Sequence, residues 1–336
     1  MFRGFAIGAA LTLVVAAAAA DLSPLLKDSY GVTITSRAGW MIERARVKAQ
    51  WQMIIGELPE EKPSLQTEIV STEKLSGFNR QFVRYQVEPG VFTDGYLLTP
   101  TPRKGKLPAV VVFHPTTPFQ ARGVAGLEPD YAEDKWMGVH LVRRGFIVWC
   151  PRNYINAEGT DWKGNASLVL ARHTNWTGMA RMVWDAIRAA DFLESLPEVD
   201  RKRIGCIGHS LGGKEVLYAM AFDERYRAGV SSEGGIGLSF SNWEAPWYLG
   251  TRIQQPGFTH ENHEVLALIA PRAFLLLAGD SADGERSRAF IEAVKPVYEL
   301  LGESNNLHFY NHHRGHAYPP EARAEAEAFL GLRLRK

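Results

Sequence analysis

The apolar run Ile204-Gly205-Cys206-Ile207 passes directly into Gly208-His209-Ser210-Leu211-Gly212 and then into Gly213-Lys214-Glu215-Val216. This stretch predicts a strand, a sharp turn and a helix in immediate succession. Such a turn is possible only where strand and helix approach closely, and the glycines two before and two after the serine permit that approach. The turn also lifts the Ser210 hydroxyl clear of the backbone. A hydroxyl is a poor nucleophile unless it stands exposed beside a base, so the local fold and a reactive serine are predicted together.

From Pro108 onward the chain repeats buried strand, loop and helix. Ala109 to Phe113 and Phe146 to Cys150 are continuous apolar runs, as expected of parallel strands covered on both faces. Ala228 to Val230, Ala273 to Leu277 and Leu307 to Tyr310 supply further strands. Helices are predicted over Asp134 to Arg144, over the periodic set Met179, Val183, Ile187, Ala190 and Leu193, over Phe290 to Leu301 and over Pro320 to Leu330. This alternation predicts an α/β fold with a mostly parallel, doubly wound sheet and helices on both faces. Upstream, Gln81 to Val87 and Tyr96 to Leu98 read as an antiparallel start to the sheet.

Met1-Phe2-Arg3 followed by the apolar run Phe5 to Ala20 has the pattern of a secretory signal peptide (1–20), which predicts export to the periplasm or beyond. The run is too short and alanine-heavy for the ~20 strongly apolar residues of a membrane span. The remainder, 21–336, reads as one domain with an N-terminal helical extension at about 35–56 and a small lid insertion at about 237–263. With 46% hydrophobic residues the chain can bury a large core, and a net charge of +1 gives no electrostatic footprint for nucleic acid. The expected partner is a small or uncharged molecule. Cys150 and Cys206 lie on strands predicted to flank a third, which leaves both as buried free thiols. Asn165-Ala166-Ser167 and Asn175-Trp176-Thr177 match the glycosylation pattern.

In sheets of this kind the catalytic parts follow in the chain order serine, acid, histidine. His316, in Gly315-His316-Ala317-Tyr318-Pro319 between the last strand and the last helix, is the candidate base. The favoured acid is Asp283, after the strand Ala273 to Leu277; Glu233, after the preceding strand, is the alternative and Asp280 a third. The amide of Leu211 and one from Thr116 or Thr117 are the candidate oxyanion donors, Pro115 having no N–H. His114 reads as a loop anchor and Trp243 and Trp247 as substrate-binding residues of the lid. His312, His313 and His316 sit in a turn rather than on one helix face, so no metal site is expected, and the chemistry calls for no cofactor.

Several stretches in order resemble the acetyl-xylan-esterase-like α/β-hydrolases of bacteria: the Trp40 helix, Tyr96-Leu97-Leu98, Trp184-Asp185, Gly208 to Lys214, Phe222 to Arg225 and Ala270-Pro271-Arg272. The resemblance implies an α/β-hydrolase fold and a serine carboxylic ester hydrolase that removes a short acyl group, such as acetyl, from a polysaccharide. The related glucuronoyl esterases carry an arginine just after the serine, a lysine four residues after it and a glutamate on the strand beyond. Lys214 and Glu233 fit those places, which implies substrate binding for Lys214, while Leu211 replaces the arginine. Glucuronoyl ester hydrolysis is the alternative expectation. A prolyl-oligopeptidase-type hydrolase and a non-catalytic binding protein on the same scaffold are further ones.

Overall fold

A computed structural model of the protein describes residues 22–157 and 161–335; the predicted signal peptide lies outside them. Nine strands form a single sheet: β1 (Glu68–Leu75), β2 (Phe78–Glu88), β3 (Val91–Pro100), β4 (Leu107–Phe113), β5 (Ile147–Pro151), β6 (Val199–His209), β7 (Tyr226–Ser232), β8 (Ala273–Ala278) and β9 (Leu307–Asn311). Their order is β1-β2-β3-β5-β4-β6-β7-β8-β9. The pairings from β5 to β9 are parallel, and β1, β2 and β3 add an antiparallel flank. The helices are α1 (Arg37–Ile55), α2 (Gln120–Val124), α3 (Met137–Arg143), α4 (Trp162–Arg172), α5 (Gly178–Ser195), α6 (Leu211–Phe222), α7 (Asn262–Ala267), α8 (Arg288–Leu300) and α9 (Pro320–Leu334). The protein has an α/β-hydrolase fold.

The period of two along β4 divides the core. Ala109, Val111 and Phe113 face one layer with α1, α5, α6 and α8, while Val110 and Val112 face the other with α2, α3 and α9. Cys150 on β5 and Cys206 on β6 point into opposite layers with β4 between them, and both are free and buried. Helix α6 is buried along its whole length. Its apolar residues are enclosed in the core, and its two charged ones, Lys214 and Glu215, are buried with polar partners, Gly234 O and Asn153 Nδ2 among them.

Helix α1 starts where the Ser36 hydroxyl accepts from the Gly39 amide and stops at Gly56, whose φ of 107° few other residues tolerate. Its Trp51 indole donates to Glu264 and its Arg44 guanidinium to the Leu268 carbonyl, which fix the extension to the body at α7 and just beyond it. Strand β1 and helices α2, α4 and α7 have no counterpart in the sequence reading. Strand β1 is exposed at every position, so no alternation marks it. Helix α4 buries only Asn165, Ala166 and Val169. Asn165 is thereby closed to glycosylation, while Asn175 is exposed.

Between β7 and α7 the chain runs through an irregular insertion with one short 3-10 turn, Gly250–Gln254. It is tied down rather than free: the Tyr248 carbonyl accepts from the Met179 amide and the Trp247 carbonyl from the Tyr154 hydroxyl. At the serine turn, a Cβ on Gly212 would lie 2.1 Å from the Phe113 carbonyl oxygen and one on Gly208 2.3 Å from Gly212. Backbone meets backbone there. Gly212→Ala is therefore expected to cost about 3 kcal/mol or more, measured as a fall in the urea midpoint, because the obstacle is a sheet carbonyl that cannot move aside.

Candidate active site

Ser210 lies between β6 and α6 with φ 58° and ψ −116°, a strained conformation held by its amide, which donates to Ser232 O at 2.8 Å. Its hydroxyl takes no part in capping α6 and instead lies 2.9 Å from His316 Nε2. On the other side of the ring, His316 Nδ1 lies 3.1 Å from Glu233 Oε2. A proton on Nδ1 directed at the carboxylate leaves Nε2 free to accept from the serine, so the three side chains form one relay.

Glu233, fully buried, follows β7 with φ 52°, and its amide donates to Leu277 O across to β8. The amides of Gly279 and Ala282 donate to its two oxygens. The His316 loop meets the same corner, since Gly315 N donates to Gly279 O. A Cβ at position 279 would come within 2.1 Å of Gly315 O, so only glycine admits this contact.

Asp283 stands elsewhere. The loop after β8 folds back so that the amides of Gly279, Asp280 and Ser281 converge on the Asp283 carbonyl, which turns its side chain beneath the loop that follows β7. Its carboxylate is completely buried and accepts from Gly235 N at 2.7 Å, Ile236 N at 2.8 Å and Ser287 Oγ at 2.8 Å. Burial pushes its pKa above the ordinary value, partly offset by those donors. The structure thus puts Glu233, not the favoured Asp283, behind His316. Asp280 is exposed and bonded to Asn311 and His313.

Leu211 begins α6, so its amide is among the N–H groups that no carbonyl of the same helix can take. Thr116 and Thr117 occupy the loop between β4 and α2. His114 anchors that loop: it is buried, with Nδ1 donating to Pro115 O at 2.8 Å and Nε2 accepting from Asn153 N at 3.1 Å. Burial pushes its pKa down to about 4. His209 packs its ring 4.8 Å from that of His316, and burial holds it well below the usual histidine range, so a neutral ring lies against the base.

Two predicted substrate contacts, Lys214 and Trp243, are buried among protein partners. Lys214 is buried, donating to Gly234 O and to Ser241 Oγ at 2.9 Å, with its ammonium 4.8 Å from the Trp243 ring centre and 5.3 Å from that of Tyr248. Burial lowers its pKa to about 8. Trp243 is fully buried and donates to Gly235 O. Both side chains spend their contacts holding the insertion to α6. Trp247, by contrast, lines an open cleft of about 680 Å³ together with Thr117, Gln120, Asn156, Trp162 and Lys163. Trp162 is the residue the sequence reading missed, although Asp161 three before Gly164 is a helix-start signal, and the Gly164 amide does donate to it. Among the described residues no cluster could hold a metal ion.

Comparison with known proteins now bears on this geometry. The dienelactone hydrolase family model matches residues 93–260, half of the 336-residue chain. The chain belongs to the dienelactone hydrolase family. The match includes Ser210 and Glu233 and stops short of His316. YtaP of Bacillus subtilis, which bears the name of a hydrolase, is 24% identical over 85% of this chain and 98% of its own. A 4-O-methyl-glucuronoyl methylesterase of Hypocrea jecorina is 25% identical over 45% of this chain, which spans 40% of that relative. Among solved structures, a glucuronoyl esterase from Solibacter usitatus superposes with a TM-score of 0.72 at 20% identity, over 92% of this chain and 97% of that one. The protein is an ester hydrolase.

The buried histidines set an acid limit on stability. Folded His114 stays neutral down to about pH 4 whereas an unfolded one takes up its proton near 6.5, so its contribution is complete above 6.5 and is lost as pH falls toward 4. The loss amounts to about 3 kcal/mol. His209 acts with the same sign. Unfolding midpoints should drop across that window, and His114→Gln should flatten the slope; an unchanged slope would refute this assignment.

Proposed function

We propose that the protein cleaves a uronate ester of a carbohydrate, as a glucuronoyl esterase does, through Ser210, His316 and Glu233. The observation that carries the reading is the continuous path from Glu233 Oε2 through the His316 ring to Ser210 Oγ, with contacts of 3.1 and 2.9 Å. The glutamate occupies the position that the glucuronoyl esterase resemblance gave it, and glucuronoyl esterases recur among the relatives and structural neighbours. This moves the uronate ester ahead of the acetyl ester that the sequence favoured. Leu211 still departs from the arginine of that group, so the oxyanion is left to backbone amides.

In this reading Ser210 Oγ attacks the ester carbonyl while its proton passes to His316 Nε2. The imidazolium is stabilised by Glu233, and the oxyanion by the amides of Leu211 and of Thr116 or Thr117. His316 returns the proton to the departing alkoxide, and a water activated by the same ring releases the acid. The chain acts after export through the signal at 1–20; among the described residues no helix is long and apolar enough to cross a membrane.

Specificity is tested by kcat/KM on benzyl glucuronate, acetylated xylo-oligosaccharides and p-nitrophenyl acetate. The uronate ester should lead by tenfold or more, and a lead for acetylated xylan would restore the acetyl reading. Glu233→Gln should lower kcat by about 10³ to 10⁴, since the glutamine no longer stabilises the imidazolium. Asp283→Asn should instead lower the melting temperature by several degrees and kcat by less than tenfold. If the two variants exchange these effects, Asp283 is the acid.

A further inference from the structure

We infer that Glu215 is a positioning residue for ester hydrolysis, setting through Asn153 and His114 the direction in which the Thr116 amide is offered to the oxyanion. The inference rests on the Ser210 relay and is independent of which ester is cleaved. Glu215 lies on α6, the helix that Ser210 precedes, and is 4% exposed. Its Oε2 accepts from Asn153 Nδ2 at 3.0 Å, and Asn153 Oδ1 accepts from the Ile155 amide at 3.1 Å. The Asn153 amide in turn donates to His114 Nε2 at 3.1 Å, and His114 Nδ1 donates to Pro115 O at 2.8 Å. All three side chains are buried, and they join α6, the segment after β5 and the loop after β4 into one strut.

Each link fixes the next. A backbone amide can only donate, so His114 Nε2 carries no proton, Nδ1 does, and the ring must turn that proton to the Pro115 carbonyl. The Pro115–Thr116 peptide is trans, the cis bonds among the described residues being those before Pro102 and Pro271. In a trans peptide the carbonyl and the N–H point in opposite directions. With Pro115 O turned onto the buried imidazole, the Thr116 N–H is turned away from it, toward the exposed side of the loop. Among the described residues no acceptor takes that N–H.

The loop stands against the first turn of α6. The Phe113 carbonyl packs on Gly212, and the Tyr248 hydroxyl, on a ring beside the Lys214 ammonium, faces the Thr116 side chain. Gly212 and Glu215 stand at i and i+3 and so share one face of the helix, which meets the end of β4 and the segment after β5. The face that receives the start of the loop therefore also carries the residue that braces it. With leucine at 211, no cationic side chain follows the nucleophile to make up for a misaimed amide. Burial, with Asp185 as a second cause, holds the Glu215 pKa well above the ordinary carboxylate value, which favours the uncharged acid. What Asn153 takes from position 215 is an acceptor oxygen rather than a charge, and glutamine supplies one.

The aim of the amide is read by hydrolysis of p-nitrophenyl acetate and by inhibition with an aryl trifluoromethyl ketone, whose adduct with Ser210 is a stable tetrahedral oxyanion. Glu215→Leu and Asn153→Ala should each lower kcat about a hundredfold, change KM by less than about threefold and raise the ketone Ki by the same factor as kcat falls. The double variant should fall no further than either single one, since both act along one path. Glu215→Gln keeps the acceptor for Asn153 Nδ2 and should leave kcat within about threefold of the parent. Rates are referred to folded protein, with the melting temperature followed for each variant; if leucine at 215 prevents folding, Asn153→Ala alone decides. Unchanged kcat and Ki in the folded variants, additive losses in the double variant, or a glutamine variant as slow as the leucine one overturn the inference and leave the Ser210 relay standing. Hydrolysis that survives Ser210→Ala overturns the relay itself, and the inference with it.

Discussion

Two carboxylates exchanged between neighbouring loops hold the site together. Glu233, after β7, is gripped by the amides of Gly279 and Ala282 after β8, while Asp283, after β8, grips the amides of Gly235 and Ile236 after β7. Each loop supplies the acid the other needs. Because both side chains are fully buried, their charges are tolerable only while these donors are in place, so neither loop can shift without stranding a carboxylate. The His316 loop then docks on the same corner through Gly315 and Gly279, and the imidazole inherits its position from the clamp.

That exchange explains what could and could not be read from the chain. The serine turn was legible because it is local: Gly208 and Gly212 are demanded by contacts that the turn itself creates. The parallel core was legible because strands buried on both faces leave continuous apolar runs, as in β4 and β5. His316 and Glu233 were both named, but which acid faces the imidazole depends on how the loop after β8 folds back, which sets Asp283 against backbone amides at the neighbouring strand end. Residue identity alone does not encode that direction. Strand β1 escaped for a simpler reason, since an edge strand exposed at every position has no buried face to pattern.

Lys214 and Trp243 show the same limit from another side. A lysine and a tryptophan near a nucleophile suggest substrate contacts, yet here the ammonium lies over the indole, with the Gly234 carbonyl as a partner, and both are spent on fixing the insertion. The aromatic residues left to meet a ligand are Trp247, whose ring lies outside that knot, and Trp162 on α4. The insertion is therefore two devices in one segment, a buried fastening and a half-buried wall.

The enclosure of α6 has a consequence for how this enzyme can change. Every residue from Leu211 to Phe222 is surrounded by core, so no substitution there can reach a ligand without first disturbing packing. Adaptation to a new ester is left to side chains outside the helix. The wall formed by Gln120, Asn156, Trp162 and Trp247 is such a place, drawn from the segments after β4 and β5 and from the insertion. Divergence in substrate range among proteins built this way should accumulate in those segments and leave the nucleophile helix nearly silent.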